Sequence, residues 1–499
     1  MSQDNENQEA VEYIDNKGSL LERTPSWLVS MIVHTCILIV MMFFQVDQAQ
    51  RKQAMFITST ADEEIIEEEV IEEEEVEELD MDVEIEEMEE VETEVSVETP
   101  EDVPVEVEVA DTMDDEPPPA VVEFTPTADV KSQASVADMS ASYTSGRGLE
   151  GRKNADAAAL AGGGTHASQN AVKRGLEWIA RHQLRDGSWN YNHCLVGNCD
   201  CKNPGTMTQC TNGATAMGIL PFLGCGMTHK EGSYKKNIGA GLLYLCRNIK
   251  MDPKKGGSLH QKQGTMYAHG LATICLTEAY AMTKDRNLKK PAQATVAFVM
   301  YAQDPVGGGW RYNPRQTGDT SVVGWQLMAL KSGYMGYLTV DPNCTAKAMN
   351  FLNTVQQENG AFYGYMTPGK GAACTAIGLL CRMYYGWKQD NPALKKGVEW
   401  LNQMGPSNDM YFNYYATQVM RHYGGDPWTQ WNARMRDRLV DSQIKDESHA
   451  KGSWNPAGSH SDHGGRLYAT ALSIMTLEVY YRHQPIYQAQ TMDKPAALE

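Results

Sequence analysis

The chain repeats a short helical segment at a long interval. The sequence Ala-Val-Lys-Arg-Gly-Leu-Glu-Trp at residues 171–178 returns as Ala-Leu-Lys-Lys-Gly-Val-Glu-Trp at residues 393–400. Looser versions, each centred on one aromatic residue, lie between the two copies at Tyr244, Phe298 and Phe351. The unit therefore recurs about every 55 residues, which is typical of helix pairs that bury their apolar faces only by stacking on neighbouring pairs.

Each unit predicts two helices joined by a glycine-rich turn. The first helix is amphipathic and charged, which suits an outer ring that faces water. The second is rich in small and aliphatic residues and suits a close-packed inner ring. These second helices are expected near Asn212, Tyr267, Ser321, Ala372 and Tyr468. Five pairs, or six if the segment from Trp428 to Leu439 contributes one, predict an all-α fold that closes as a double ring around a central cavity.

A recurring turn motif carries a family resemblance. Gln183, Gly187 and Trp189 resemble the QW motif of squalene and oxidosqualene cyclases, which share an α/α-toroid fold with protein prenyltransferase β subunits. Weaker versions occur at Gln303 with Gly308 and Trp310, at Gln357 with Gly360 and Phe362, and at Gly452 with Trp454. The resemblance covers residues 165–487 and implies that the glutamine and the aromatic residue staple adjacent repeats.

The residues of the cyclase activity are mostly missing. Cyclases of this superfamily protonate their substrate with a DxDD motif, and the matching stretch here ends at Asp319 with Gly318 in the position of the catalytic acid. We therefore expect Asp319 to act as a helix N-cap, since Asp followed by Thr-Ser satisfies free backbone amides at a helix start. A role for Asp319 in the cavity is the alternative.

The zinc ligands of the prenyltransferases are also incomplete. The resemblance implies an Asp-x-Cys pair and a later His, and the matching positions hold Ala372, Cys374 and Ala469. We therefore predict a toroid that binds a ligand or a partner. The alternative is a divergent enzyme on the same scaffold, either a terpenoid- or lipid-acting cyclase or transferase, or a polysaccharide lyase or hydrolase.

A cysteine-rich loop interrupts the first repeat. It contains Cys194, Cys199, Cys201 and Cys210. Two disulfides are the favoured interpretation if the loop lies outside the cytoplasm. Zinc or another soft metal, and free thiols, are the alternatives, and no other cofactor is expected.

Two further groups of residues are candidates for the mouth of the cavity. His460, Asp462, His463 and Arg466 precede the last inner helix and could bind an anion or a metal, or perform acid–base chemistry. A polar capping loop is the alternative. The second group is Trp310, Arg311, Tyr312 and Tyr468. The aromatic rings in this group suit an apolar or sugar-like ligand.

The N-terminal region predicts a membrane anchor. After a polar segment, residues 1–26, the stretch 27–44 contains no formally charged residue, and residues 27–46 are long enough to cross a bilayer as one helix. No small-residue cleavage site follows, so we expect an uncleaved anchor. The repeat domain is predicted to lie outside the cytoplasm, in the periplasm of a bacterium, and residues 488–499 form a short tail.

The charge is divided sharply between two regions. Residues 62–116 contain 30 acidic residues and no Lys or Arg, whereas residues 170–487 contain 34 basic and 21 acidic residues. The linker, residues 47–164, is therefore expected to be disordered, first acidic and then rich in Pro, Ser and Gly. It is a spacer, an arm that folds back over the basic repeat domain, or an acidic arm that binds a partner. The basic domain favours an anionic ligand, and no nucleic-acid partner is expected.

Overall fold

The repeat region is helical throughout. The computed structural model describes Leu149, residues 151–458, residues 461–483 and Ile486. The helices are α1 (Ala155–Gly162), α2 (His166–Arg181), α3 (Thr211–Gly224), α4 (Lys235–Arg247), α5 (Thr265–Thr283), α6 (Arg286–Ala302), α7 (Thr320–Met335), α8 (Pro342–Thr354), α9 (Ala372–Tyr384), α10 (Pro392–Met404), α11 (Met410–Tyr423), α12 (Gly425–Ser442), α13 (Ser461–Leu477) and α14 (Val479–Arg482). Two antiparallel hairpins, β1 (Lys250–Asp252) with β2 (Gly256–Ser258) and β3 (Gln356–Gln357) with β4 (Phe362–Tyr363), lie in the connections.

The helices form two concentric rings. In the inner ring α3, α5, α7, α9, α11 and α13 each pack on the next, and α13 packs on α3, so the ring closes. The outer helices α2, α4, α6, α8, α10 and α12 pack against this ring. The described part of the chain is therefore an α/α-toroid of six helix pairs, as the repeat predicts.

The sixth pair differs in detail from the prediction. The segment containing Trp428 and Leu439 is the outer helix α12, and its inner partner is α11, which precedes it. Helix α11 is rich in tyrosine and lacks the Ala, Thr and Ile content of the other inner helices. Its composition therefore did not mark it as an inner helix.

Side-chain caps fix where several helices begin. The carboxylates of Asp285, Asp319, Asp341 and Asp409 accept hydrogen bonds from backbone N–H groups in the first turns of α6, α7, α8 and α11. Such caps satisfy amides that have no partner within the helix. The predicted N-cap role of Asp319 is confirmed, because its Oδ1 atom accepts from the N–H of Val322 at 2.9 Å.

The predicted staples join neighbouring outer helices. Gln183 Nε2 donates to the carbonyl of Gly187 and to that of Asn237 in α4, both at 2.8 Å. Trp189 Nε1 donates to Ile179 O at 2.8 Å. Each staple thus ties the end of one outer helix to the next outer helix through a glutamine amide.

The second staple repeats this geometry. Gln303 Nε2 donates to Gly308 O and to Cys344 O in α8, and Trp310 Nε1 donates to Val299 O. Trp310, a predicted mouth residue, is fully buried in this staple. It is therefore structural and does not line the mouth.

The third and fourth motifs need correction. The aromatic position assigned to Phe362 belongs to Tyr363, whose N–H donates to Thr375 Oγ1 as that of Trp189 does to Thr215 Oγ1. The hydroxyl of Tyr363 accepts from Arg382 Nε at 3.1 Å. Tyr363, whose hydroxyl has Arg382 as its polar partner, therefore takes the place that tryptophan has in the first two staples. For this reason the third motif is hard to recognise in the sequence.

The fourth staple closes the ring. Its glutamine is Gln443, at the end of α12, and Gln443 Nε2 donates to Gly452 O and to Ala171 O in α2. Trp454 Nε1 donates to Leu439 O at 2.8 Å. Because a longer loop separates Gln443 from Trp454, the motif was not recognised at its usual spacing.

The folded region begins before residue 165. Gly151–Asn154 form a 3-10 helix, and α1 follows within the segment expected to be linker. The alanine-rich sequence of α1 favours a helix, and Arg152 is buried. The rest of the predicted linker, the tail and the predicted membrane span 27–46 lie outside the described residues. Within the described residues, none of the helices combines the length and the apolar character needed to cross a bilayer.

Candidate functional site

One candidate site lies where the inner helices begin. Tyr267 starts α5, Ser321 starts α7 and Tyr411 starts α11. The hydroxyl of Tyr267 contacts Ser321 Oγ, and Tyr411 Oη donates to Ser321 O at 2.9 Å. These contacts gather the helix starts, together with the Asp319 cap, into one rim, which we call the Asp319 rim.

Asp319 is a buried carboxyl in this rim. Its side chain is fully buried, and its Oδ2 atom has no hydrogen-bond partner among the described residues. Burial raises the pKa of Asp319 above its usual range, although the hydrogen bonds from Val322 and Ser321 oppose the shift. A carboxyl in this state holds its proton more readily than one in water. The cap residue therefore also places a carboxyl with a raised pKa beside the tyrosines of the rim.

Arg311 is the charged group that accompanies Asp319. Its Nε atom lies 3.8 Å from Asp319 Oδ2, and the side chain is 25% exposed. The guanidinium lies over the rings of Tyr312 and Tyr365, with centroids at 5.2 Å and 5.9 Å. The two phenols are joined by a hydrogen bond of 2.7 Å. The rim thus offers a partly exposed cation framed by two aromatic rings.

The pKa of Tyr267 in this rim depends on its neighbours. Burial raises the pKa of Tyr267, and the nearby Asp319 and Tyr312 add to this shift. Tyr468 acts on Tyr267 in the same direction. The predicted residues Asp319, Arg311 and Tyr312 are therefore brought together, while Tyr267 and Tyr365 were not identified from the sequence.

The residues before α13 have different surroundings. His460 lies outside the described residues. Asp462 and His463 are exposed, and the backbone carbonyl of His463 accepts from Thr206 N and Met207 N. This arrangement supports the alternative of a polar capping loop for both residues.

Arg466 is a buried positioning residue. Its guanidinium donates to Lys202 O, Ser453 Oγ and Asn455 Oδ1 at 2.8–2.9 Å. All three guanidinium nitrogens thus donate to acceptors in two loops of the fold. Arg466 thus joins the cysteine-rich loop to the turn before α13 and is not available to a ligand.

The cysteine-rich loop forms a second candidate site with histidines. Cys199 Sγ and Cys201 Sγ lie 3.6 Å and 3.7 Å from His182 Nε2, and Cys201 Sγ lies 3.2 Å from His449 Nδ1. Cys194 Sγ lies 3.4 Å from Cys199 Sγ. We call His182, Cys199, Cys201 and His449 the Cys–His cluster. Neither histidine was a candidate from the sequence.

Cys210 is not part of this cluster. Its sulfur packs against the backbone of Gly213 and Gly264, and every cysteine in the described residues is a free thiol. Two disulfides among the four predicted cysteines do not fit this placement. Burial lowers the pKa of His182 to about 3 and raises the pKa of Cys201 to about 11, so both are neutral near pH 7.

Aromatic side chains meet inside the inner ring of helices. Trp325 on α7 stacks on Tyr414 of α11, with ring centroids 5.5 Å apart, and contacts the ring of Tyr415 edge-on at 5.6 Å. Helix α9 lies between α7 and α11 in the inner ring. These contacts therefore join two alternate inner helices, and all three rings are buried.

A buried charge network lies next to these rings. Glu278 Oε2 pairs with Arg152 Nη1 at 2.9 Å and with Arg482 Nη2 at 3.2 Å, and Arg482 Nη1 lies 3.4 Å from Glu478 Oε2. Glu278, Arg152 and Arg482 border a small cavity of about 40 Å³, together with Lys331 and His483 on the network side and Trp325 and Tyr414 on the aromatic side. The sequence signal for this network was limited to Glu278 and Lys331, which are single charged residues in the otherwise apolar inner helices α5 and α7.

The network residues differ in protonation. Burial would raise the pKa of Glu278, but Arg152 and Arg482 lower it below its ordinary value. Burial raises the pKa of Glu478 to about 8, against the effect of Arg482. Burial also lowers the pKa of Lys331 to about 7. Glu278 is thus the carboxylate that balances the buried arginines.

Comparison with known proteins adds little beyond the architecture. Neither protein-family models nor curated protein sequences match the chain. Among solved structures, an inactive variant of the α-1,6-mannanase GH76A of Salegentibacter sp. HEL1_6 in complex with α-1,6-mannotriose is 10% identical, with a TM-score of 0.45, over 63% of this chain and 99% of that one.

Two other solved structures are similar to the same extent. The type II terpene cyclase MstE from Scytonema is 12% identical with a TM-score of 0.44, over 63% of this chain and 97% of that one. A novel alpha-amylase from Clostridium perfringens is 11% identical with a TM-score of 0.42, over 62% and 97%. The assignment to the α/α-toroids rests on the closed ring of helices described above.

Proposed function

We propose that this protein is a membrane-anchored toroid that binds an acidic, sugar-like ligand at the Asp319 rim. In this proposal residues 27–46 anchor the chain and the repeat domain lies outside the cytoplasm. The toroid does not act as a terpenoid cyclase or a prenyltransferase. The observation that carries this choice is the small volume of the cavity beside Trp325.

The small cavity beside Trp325 argues against a lipid substrate. Rings from the alternate inner helices α7 and α11 meet beside it, and its volume is about 40 Å³. That space suits about three or four water molecules, since one water needs roughly 10–15 Å³ on this measure. Polar and charged side chains also border it, which suits water better than a hydrocarbon.

The rim argues for an anionic ligand. The Arg311 side chain is 25% exposed, while its Nε atom is buried 3.8 Å from Asp319 Oδ2, so a ligand would meet the exposed part of the guanidinium. A guanidinium can bind a carboxylate through two parallel hydrogen bonds. The rings of Tyr312 and Tyr365 are partly exposed beside it and offer surfaces on which a sugar ring can pack. The excess of basic residues in the repeat domain favours the same ligand charge.

Arg311→Gln is expected to weaken binding of an oligogalacturonate by about tenfold or more, because it removes a charge-assisted hydrogen bond. Isothermal titration calorimetry measures the dissociation constant of the oligogalacturonate for each variant. Arg315→Gln is the matched control, since Arg315 is an exposed arginine that lies over Tyr301 and carries the same charge. Equal losses in both variants would indicate a nonspecific charge effect and contradict the proposed site.

Deletion of residues 62–116 is expected to increase oligogalacturonate binding at low salt, because the acidic segment competes for the basic domain. The increase should disappear at high salt, where charges farther apart than about one Debye length are screened. A variant of unchanged length, with the 30 acidic residues replaced by Gln and Asn, tests charge separately from length. If neither variant binds more tightly than the unmodified chain, the segment is only a spacer.

A second candidate function is hydrolysis or elimination of an acidic polysaccharide. It is favoured by the buried Asp319 carboxyl, whose raised pKa suits a proton donor. Formation of new reducing ends or unsaturated products from the same oligogalacturonate distinguishes this enzyme from a binding module. Asp319→Asn keeps a good N-cap while removing the acid, so the products should disappear in that variant.

A further inference from the structure

The Cys–His cluster has the atoms of a metal site. Two thiols and two imidazole nitrogens, from His182, Cys199, Cys201 and His449, all lie within 4.8 Å of one another. Two cysteines and two histidines are a common ligand set for structural zinc. The cluster does not share a residue with the Asp319 rim, so it is independent of the proposed binding function.

The spacing of these atoms fits a tetrahedral ion. With zinc–sulfur bonds of about 2.3 Å and zinc–nitrogen bonds of about 2.0–2.1 Å, adjacent sulfur and nitrogen ligands of a tetrahedron lie about 3.6 Å apart. Three of the four nitrogen–sulfur distances in the cluster are 3.6 Å, 3.7 Å and 3.2 Å, and the fourth, between Cys199 and His449, is within 4.8 Å. An ion at the centre would therefore need only small shifts of the four side chains.

The outer contacts of His182 orient it as a ligand. Its Nδ1 atom lies 2.7 Å from the carbonyl oxygen of Trp178. Because a carbonyl oxygen only accepts, Nδ1 carries the proton and Nε2 presents its lone pair to the two thiols. A histidine held in this way by a backbone carbonyl is typical of metal sites.

Buried groups beside the cluster also point to an ion. His193 is 1% exposed, and neither of its ring nitrogens has a hydrogen-bond partner among the described residues. His193 can join Cys194 and Cys199 in a second group of ligand atoms that shares Cys199 with the cluster. An apolar core explains neither the three thiols nor the three imidazoles collected here.

The cluster connects the two ends of the toroid. His182 follows the first outer helix, α2, and the two cysteines lie in the loop before α3. His449 lies in the loop between α12 and α13, in the last repeat, 248 residues beyond Cys201. An ion bound here would link the first repeat to the last at the seam that Gln443 also joins.

We propose that His182, Cys199, Cys201 and His449 bind one structural zinc ion that fastens the first repeat of the toroid to the last. The free energy of zinc binding then contributes to the stability of the closed ring. Cys194 and His193 lie beside this site but are not among its four proposed ligands.

The test is elemental analysis of the full chain purified without chelators. We expect one zinc per chain, and near-complete loss of zinc in the double variant Cys201→Ser, His449→Ala. Cys246→Ser is the matched control, because Cys246 is a thiol on α4 outside the cluster, and it should retain the zinc. Chelation of the unmodified chain should lower its melting temperature, a readout that remains available if the double variant does not fold.

Two results would overturn the proposal. One is a chain that carries no zinc as purified and gains none on titration with zinc salt under reducing conditions. The other is a full zinc content in the double variant. Substitution with Co²⁺ gives an independent readout, since bound thiolate and tetrahedral coordination each produce a characteristic absorption. Absorption typical of six-coordinate Co²⁺ without thiolate would also contradict the proposed ligands.

Discussion

Replacement of Glu278 by glutamine is expected to destabilise the toroid by about 3–5 kcal/mol, because it leaves buried arginines without their main counter-charge. Glu278 is 7% exposed and accepts from both Arg152 and Arg482. Glutamine keeps the size of the side chain and one acceptor oxygen but removes the negative charge. The change therefore isolates the electrostatic part of the network.

The measurement is urea unfolding followed by tryptophan fluorescence, which reports mainly on the toroid. Glu358→Gln is the matched control, since Glu358 pairs with Lys396 and both side chains are about half exposed. Exposed pairs contribute only about 0–1 kcal/mol. Equal decreases in the free energy of unfolding of the two variants would contradict the larger contribution expected from the buried ion pairs.

The pH dependence provides a second check on Glu278. Its folded-state pKa is lower than its ordinary value of 4.5, so its contribution is complete above the unfolded-state pKa. The contribution is lost as the pH falls through the folded-state pKa. Stability should therefore decline less steeply in acid for Glu278→Gln than for the unmodified chain.

Gly308→Ala is expected to destabilise the toroid by about 3 kcal/mol, because the added methyl group meets backbone that cannot move aside. Gly308 has φ of +77°, and a Cβ atom would lie 2.3 Å from the carbonyl oxygen of Lys347 in α8. Relief of the clash would separate α8 from the turn and stretch the hydrogen bonds of Gln303. The loss should appear as a lower urea midpoint.

Gly425→Ala is the control for this variant. Gly425 also has positive φ, at +62°, but its nearest neighbour atom, Cδ of Pro427, would lie 3.9 Å from the new Cβ. It should cost only the conformational strain, about 1–2 kcal/mol. If both alanines have the same effect, close packing of the staple turn is not what requires glycine at Gly308.

Much of the fold followed from local sequence because each repeat uses the same local chemistry. Gln183, Gly187 and Trp189 make the same bonds as Gln303, Gly308 and Trp310, so the motif alone predicted the staples. The prediction was wrong in places where another side chain satisfies the same requirement. Tyr363 does so with the help of Arg382, and Gln443 does so from across a longer loop.

The candidate sites were predicted only in part. Arg311, Tyr312 and Asp319 are close in sequence, and their proximity in space follows from the short turn before α7. The cysteine loop was recognised by its composition, but His449 comes from a distant repeat. The contact between Trp325 and Tyr414 was also not predicted, because these residues are distant in sequence and meet only when the alternate inner helices α7 and α11 pack around α9.

The sequence by itself determined the repeat, the two kinds of helix, the staples and the separation of charge between the segment 62–116 and the repeat domain. All of these depend on spacing within one repeat or on composition. Only the tertiary structure established that the ring closes through Gln443, that Trp325 meets Tyr414 inside it and that the distant His449 joins the cysteines. The physical reason is ring closure, which brings together residues from the first and last repeats whose separation along the chain carries no local signal.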